Sequence, residues 1–163
     1  MRAVAQIECN APPEIVWRYV ADPSRYLHFM SGITRWEVVS PKPQGLGARY
    51  KMLIRVGSAE IGGLIEVVES NPPRDLAWTS VTGIDQRGRW RLRELPNGRT
   101  RVELRLSAGV AGSGIFGWLS EQAAKPMVSG HLRRSLQQLK RQVEHEQLRE
   151  RAAARRGERA ATA

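Results

Sequence analysis

The chain has 163 residues, 41% of them hydrophobic, which fits one domain of ordinary size with a sizeable core and argues against a second. Lys and Arg number 26 against 16 Asp and Glu, a net charge of +10; the single Cys excludes an internal disulfide, and three scattered His without paired spacing exclude a zinc site. No apolar run is long and uncharged enough for a spanning helix, and no basic segment followed by an apolar stretch opens the chain, so the expected location is the cytoplasm.

In chain order, residues 2 to 9 alternate as a strand, with Ala3, Ala5, Ile7 and Cys9 on one face and Cys9 expected as a buried, inert thiol. Asn10 offers a side-chain oxygen to the amides of the next turn, and Pro12 or Pro13 suits a first helical position, so a helix is predicted there. Ile15, Val16, Tyr19 and Val20 recur at its spacing, and Asp22-Pro23 stops it and caps a second short helix carrying Tyr26, Leu27 and Phe29.

Six more strands are predicted near residues 34 to 40, 48 to 57, 59 to 69, 75 to 82, 85 to 95 and 99 to 110. Alternation turns Tyr50, Met52, Ile54 and Val56 inward with Ile61, Gly63, Ile65 and Val67, and turns Glu60 and Glu66 outward, where they meet outward arginines. Gly62-Gly63 and Gly83 mark either a bulge or sharp bend in the strand or clearance for a ligand, with bending the favoured reading. Arg87, Arg89, Arg91 and Arg93 alternate with Gly88, Trp90 and Leu92, while Arg99, Arg101 and Arg105 alternate with Val102, Leu104 and Leu106; Pro96-Asn97-Gly98 between them is a hairpin turn.

Tight turns at these spacings require an antiparallel sheet with one apolar face in need of cover. The cover is a long helix, entered through a flexible Ala111-Gly112-Ser113-Gly114 and striped by Ile115, Phe116, Trp118, Leu119, Ala123, Met127, Leu132, Leu136, Leu139 and Val143. Pro126 is expected to kink or restart it near Ala124 and Lys125. After Val143 the stripe fades into charge and alanine, which divides the chain into a domain over 1–146 and a basic helical extension or disordered tail over 147–163.

The segments "APPEIVWRYVADPSRY", "FMSGITRWEV", "GLGARYKM", "SNPPRDLAW" and "HLRRSLQQLKRQVE" together resemble the SRPBCC superfamily, also called START-like or helix-grip, and its polyketide cyclase/dehydrase-like members, over about residues 1 to 145. Phe29-Met30 departs from the pattern, since many relatives carry Trp there. The resemblance implies an α+β helix-grip fold: a curved seven-stranded antiparallel sheet around a long C-terminal helix, two short helices after the first strand, and an apolar cavity between sheet and helix.

The residues expected to face that cavity and contact a ligand are Trp36, Tyr50, Met52, Ile54, Ile65, Trp78, Trp90, Leu92, Leu104, Phe116, Met127 and His131. Polar groups among the inward positions are few: Tyr50, Ser80 and His131, with His28 and Arg35 nearby; Tyr50 and His131 are the catalytic candidates. There is no Ser-His-Asp order, inward carboxylate pair or phosphate loop, "GLGAR" reads as a turn into a strand, and no cofactor is expected. The polar-poor interior and the resemblance favour binding or transport of a hydrophobic small molecule such as a lipid, polyketide or isoprenoid. Two alternatives stand beside it. One is a polyketide aromatase/cyclase or dehydrase; the other is a module for an acidic surface, nucleic acid or anionic membrane, for which weak nonspecific contact is expected because no aromatics interleave with the outward arginines.

Overall fold

All seven segments expected as strands are strands, most of them with apolar and polar residues in alternation. The computed structural model describes residues 1–109 and 115–161, and the side chains of the last helix from residue 124 onward. The elements run β1 (Arg2–Cys9), α1 (Pro13–Val20), a 3₁₀ turn (Pro23–Arg25), α2 (Tyr26–Phe29), β2 (Ile33–Val38), β3 (Arg49–Val56), β4 (Ala59–Asn71), β5 (Asp75–Gly83), β6 (Gln86–Leu95), β7 (Arg99–Ala108) and α3 (Ile115–Ala161). All seven strands form one antiparallel sheet in the order β1-β7-β6-β5-β4-β3-β2, a meander from β2 to β7 with β1 added beside β7. With α3 laid across its concave face this is the helix-grip fold.

The alternation sets the faces as read from the sequence. Tyr50, Met52, Ile65, Val67, Trp90, Leu92, Val102 and Leu104 are buried beneath α3, and Val128, Leu132, Leu136, Leu139 and Val143 meet them from the helix. Each fully buried Leu or Val contributes on the order of 1.5–3 kcal/mol. Bulges in the pairing of β4 with β5 fall between Leu64 and Ile65 and between Val67 and Glu69. The second turns Val68 outward, and it is exposed as a result. The bends at Gly62, Gly63 and Gly83 are close backbone approaches: a Cβ at Gly63 would lie 2.1 Å from the Thr82 carbonyl oxygen. Asn97 and Gly98 each take φ 66°, which makes the β6–β7 link the tight hairpin that Asn-Gly favours.

On the outer face, Glu66 pairs with Arg49 at 2.6 Å and Glu60 with Arg55 at 2.9 Å. Register sets Arg89 opposite Arg105 and Arg93 opposite Arg101, like-charge neighbours that destabilise a sheet unless offset. The offset comes from Glu69 on Arg89, Asp75 on Arg93, Glu103 on Arg105 and Glu8 on Arg101.

Four local expectations need correction. Asn10 does not cap α1: Pro12 occupies the cap position with no side-chain hydrogen bond, and the Asn10 amide donates to Glu144 Oε1 at 2.8 Å. Asp22 does cap, accepting from the Ser24 amide at 2.9 Å, but the helix it opens is a 3₁₀ turn that runs into α2. Of the kink or restart expected at Pro126 the restart does not occur: α3 is one helix through that position, with Pro126 exposed. Met127 is 41% exposed, and Val128 takes the inward place instead, one turn before Leu132. Phe116, Trp118, Leu119 and Ala123 belong to the predicted stripe, but their side chains lie outside the described residues, as does the 111–114 lead-in.

Beyond the stripe α3 stays helical to Ala161, as Ala- and Arg-rich sequence favours, and from Leu148 onward it is exposed. Its last anchors are buried Gln147 and the ion pair of Arg18 with Glu150, at 2.6 Å. Deleting residues 152–163 is expected to leave the urea midpoint unchanged; a loss above about 1 kcal/mol would mean that the outer turns pack on something.

Gly88 offers a sharper test of the interior. The Trp78 ring lies over it, and a Cβ at Gly88 would sit 1.8 Å from Trp78 Cζ2. Gly88→Ala should therefore cost about 1–3 kcal/mol in urea unfolding, and the cost should largely vanish in a Trp78→Leu background. Equal costs in both backgrounds would refute the contact.

Candidate functional site

The interior changes character along α3. Around Leu136, Leu139 and Val143 it is solid aliphatic core; around His131 the helix meets aromatic and sulfur-bearing side chains from the sheet. There an enclosed, wholly apolar-surfaced space is walled by Tyr26, Met30, Ile33, Trp36, Met52, Ile54, Trp78, Leu104, Leu106, His131 and Leu132, with Ser31 and Ser135 at its margin. It encloses about 20 Å³ among the described residues, room for on the order of one water. The ligand-sized void expected from the resemblance is thus not standing open in this part of the grip. Two of the walls are methionines, the side chains best able to shift aside, and Ile54, Val56 and Ile61 beyond them keep partial exposure.

Six of the twelve residues expected to line the cavity do so: Trp36, Met52, Ile54, Trp78, Leu104 and His131. Tyr50, Ile65, Trp90 and Leu92 are buried core beside it, Met127 is on the outer surface, and the Phe116 side chain is outside the described residues. Tyr26, Met30, Ile33, Leu106 and Leu132 complete the wall. Leu106 follows the alternation of β7 already read; Tyr26 and Met30 enter because α2 folds back under β2, which spacing alone does not reveal.

The aromatic residues form a continuous stack. Tyr26 lies on Trp36 at 4.3 Å and 11°, and Trp36 lies on Tyr50 at 5.0 Å and 27°. Trp90 Nε1 donates to the Tyr26 hydroxyl at 3.1 Å, which in turn donates to the Val20 carbonyl at 2.6 Å. Trp36 Nε1 and Trp78 Nε1 differ: both are buried, and neither has an acceptor among the described residues. Of these three indoles, the one in solid core is satisfied and the two in the cavity wall are not.

Neither catalytic candidate presents a free proton to the cavity. The Tyr50 hydroxyl donates outward to the Pro43 carbonyl at 2.9 Å, and burial pushes its pKa up to about 12. His131 Nδ1 lies 3.1 Å from Ser31 Oγ and 3.0 Å from an Arg134 nitrogen. A guanidinium only donates, so Nδ1 accepts and the ring is neutral with its proton on Nε2. The ring also hydrogen-bonds the Arg55 backbone. Ser80 Oγ accepts from the Gln86 amide, Arg35 pairs with Glu37, and His28 is exposed.

Ser31 ties this corner together: its amide donates to Ser135 Oγ at 2.9 Å, and Ser135 Oγ donates to the His131 carbonyl at 2.8 Å. Gly32 lies flat under the imidazole, where a Cβ would come within 2.6 Å of the ring. Cys9 is fully buried, and burial pushes its thiol up to about 12, the inert state. Among the described residues no group of three or more His, Cys, Asp or Glu is placed to hold a metal ion, and no helix is long and apolar enough to cross a membrane. An open groove of about 700 Å³ lies between Tyr19 and the outer turns of α3, away from the interior.

Burial, and then the Arg134 charge, depress the His131 pKa below its ordinary value of 6.5. The unfolded chain therefore binds the proton more readily, and this group's contribution to stability is present above pH 6.5 and lost as pH falls through the folded pKa. NMR titration should place His131 below 6.5, with Arg134→Gln moving it upward. A native value at or above 6.5 would contradict the buried, neutral assignment.

A family model described as "Polyketide cyclase / dehydrase and lipid transport" matches residues 1–144. A search of curated proteins gives no match. Among solved structures, the chain is similar to TTHA0849 from Thermus thermophilus, at 21% identity and TM-score 0.76, covering 88% of this chain and 97% of that one. It is similar to the Zhui aromatase/cyclase from Streptomyces sp. R1128, at 17% identity and TM-score 0.74, covering 88% and 93%. A START superfamily protein from Mycobacterium smegmatis matches at 16% identity and TM-score 0.64, covering 90% and 98%. At these identities the structures share the fold, while the family match spans the whole sheet and most of α3. The chain belongs to the polyketide cyclase/dehydrase and lipid transport family.

Proposed function

We propose that the protein binds and carries a hydrophobic small molecule, a lipid, polyketide or isoprenoid, between α3 and the concave face of the sheet. The observation that carries this reading is the pair of buried indole N–H groups of Trp36 and Trp78, which have no acceptor among the described residues and belong to side chains walling an apolar cavity. A buried donor without a partner costs about 1–3 kcal/mol, and native cores rarely leave two in one place. Trp90, deep in the same interior, has its partner. Neither N–H contributes to the cavity's apolar surface as it stands, so we propose that a guest displaces the wall enough to bring one of them onto a carbonyl or ether oxygen of an otherwise apolar molecule. The family description supports the reading, since it names lipid transport beside cyclase and dehydrase activity. Carriage is favoured over catalysis because the Tyr50 hydroxyl is turned to a loop carbonyl and both sides of the His131 ring are occupied.

Fluorene and 9-fluorenone make a matched pair that differs by one carbonyl. Both are expected to bind one per chain in fluorescence titrations and native mass spectrometry, the ketone about 3- to 10-fold more tightly, as one net hydrogen bond allows. Trp78→Phe keeps most of the ring and should abolish the ketone's advantage in a protein that still folds. Failure of the native protein to take up either compound would overturn the proposal.

A further inference from the structure

Outside the cavity, on the far side of His131, lies an open groove of about 490 Å³. Ile33 and His131 line both spaces, so one wall separates them; Thr34, Arg55, Met127 and Arg134 line the groove alone. No acidic side chain among the described residues lines it. Arg55 is paired with Glu60 at 2.9 Å, but Arg134 meets only neutral acceptors, Ser31 Oγ at 3.2 Å and His131 Nδ1 at 3.0 Å, and has no carboxylate among the described residues. Those two bonds fix the guanidinium in place and leave its remaining N–H groups free for an anion. The apolar flank comes from Ile33 and from Met127, whose 41% exposure placed it outside the core.

We infer that the groove holds the carboxylate head of an amphiphile whose apolar body occupies the neighbouring cavity, with Arg134 as the counter-ion. This rests on the carrier reading above and adds the class of molecule carried: an acid with a long apolar body. The charged head stays in the solvent-lined groove, and the wall residues Ile33 and His131 mark where the molecule passes from wet to dry.

The test compares tetradecanoic acid with 1-tetradecanol on the full chain at pH 8, each displacing the neutral probe N-phenyl-1-naphthylamine. The native protein should prefer the acid by about 10-fold or more, as a charge-assisted hydrogen bond allows, and the preference should shrink with added salt. Arg134→Gln changes an exposed residue and should cut the preference to less than about 3-fold by weakening the acid more than the alcohol, while Arg134→Lys should retain part of it. Equal affinity for acid and alcohol, or a preference that survives Arg134→Gln, overturns the head-group assignment and leaves the carrier reading standing. Binding of neither compound, with no uptake of the probe, overturns the carrier reading and this inference together.

Discussion

One constraint organises the molecule: a curved seven-stranded sheet has a single apolar face, and only α3 is long enough to cover it. The helix lies closest to β1, at the edge of the sheet, and also reaches α1, α2, β3 and β7. Along its inner turns the cover is complete: Leu136, Leu139 and Val143 sit against a fully buried wall that includes Val16, Val20 and Val102. Toward His131 the same helix supplies serine and histidine, the sheet supplies tryptophan and methionine, and the packing leaves donors unpaired. Site and core are two ends of one interface, distinguished by how fully polar groups and volume are satisfied.

Much of this is legible in the sequence because period-2 alternation is unambiguous over long strands. Tyr50, Met52, Trp78, Trp90 and Leu104 point inward as the pattern requires, and Asn97-Gly98 has the turn chemistry of its hairpin. Helix periodicity is less exact near an end. Counting back from Leu132, Met127 and Val128 are both apolar, and the sequence does not say which of two neighbours, about 100° apart, faces the sheet. The cap of α1 escapes local reading for a different reason: the Asn10 amide is claimed by Glu144, 134 residues away. The polar corner of Ser31, His131, Arg134 and Ser135 depends on α2 and β2 meeting α3, a contact between Ser31 and Ser135 that spans 104 residues and has no local signature. Unpaired indoles are likewise invisible in sequence, where Trp36, Trp78 and Trp90 look alike.

The basic surface has its own logic. Antiparallel register brings arginines face to face across β6 and β7, and acidic residues from β1, β4, β5 and β7 are set beside them. The Glu69 and Glu8 pairs are exposed and individually weak, whereas Asp75 and Glu103 are buried; all four relieve repulsion between the arginines of the outer face. Arg134 stands apart from this pattern: it meets neutral partners, Ser31 and His131, beside the apolar interior.

The central claim is that an apolar guest enters the grip at its unsatisfied end by moving the methionine walls. Methyl-labelled methionine NMR tests it directly, because Met30 and Met52 wall the cavity while Met127 lies outside it. On titration with 9-fluorenone, the Met30 and Met52 methyl signals are expected to shift strongly and saturate together at one equivalent. Saturating binding that leaves both signals where they were, or that moves Met127 alone, would contradict it.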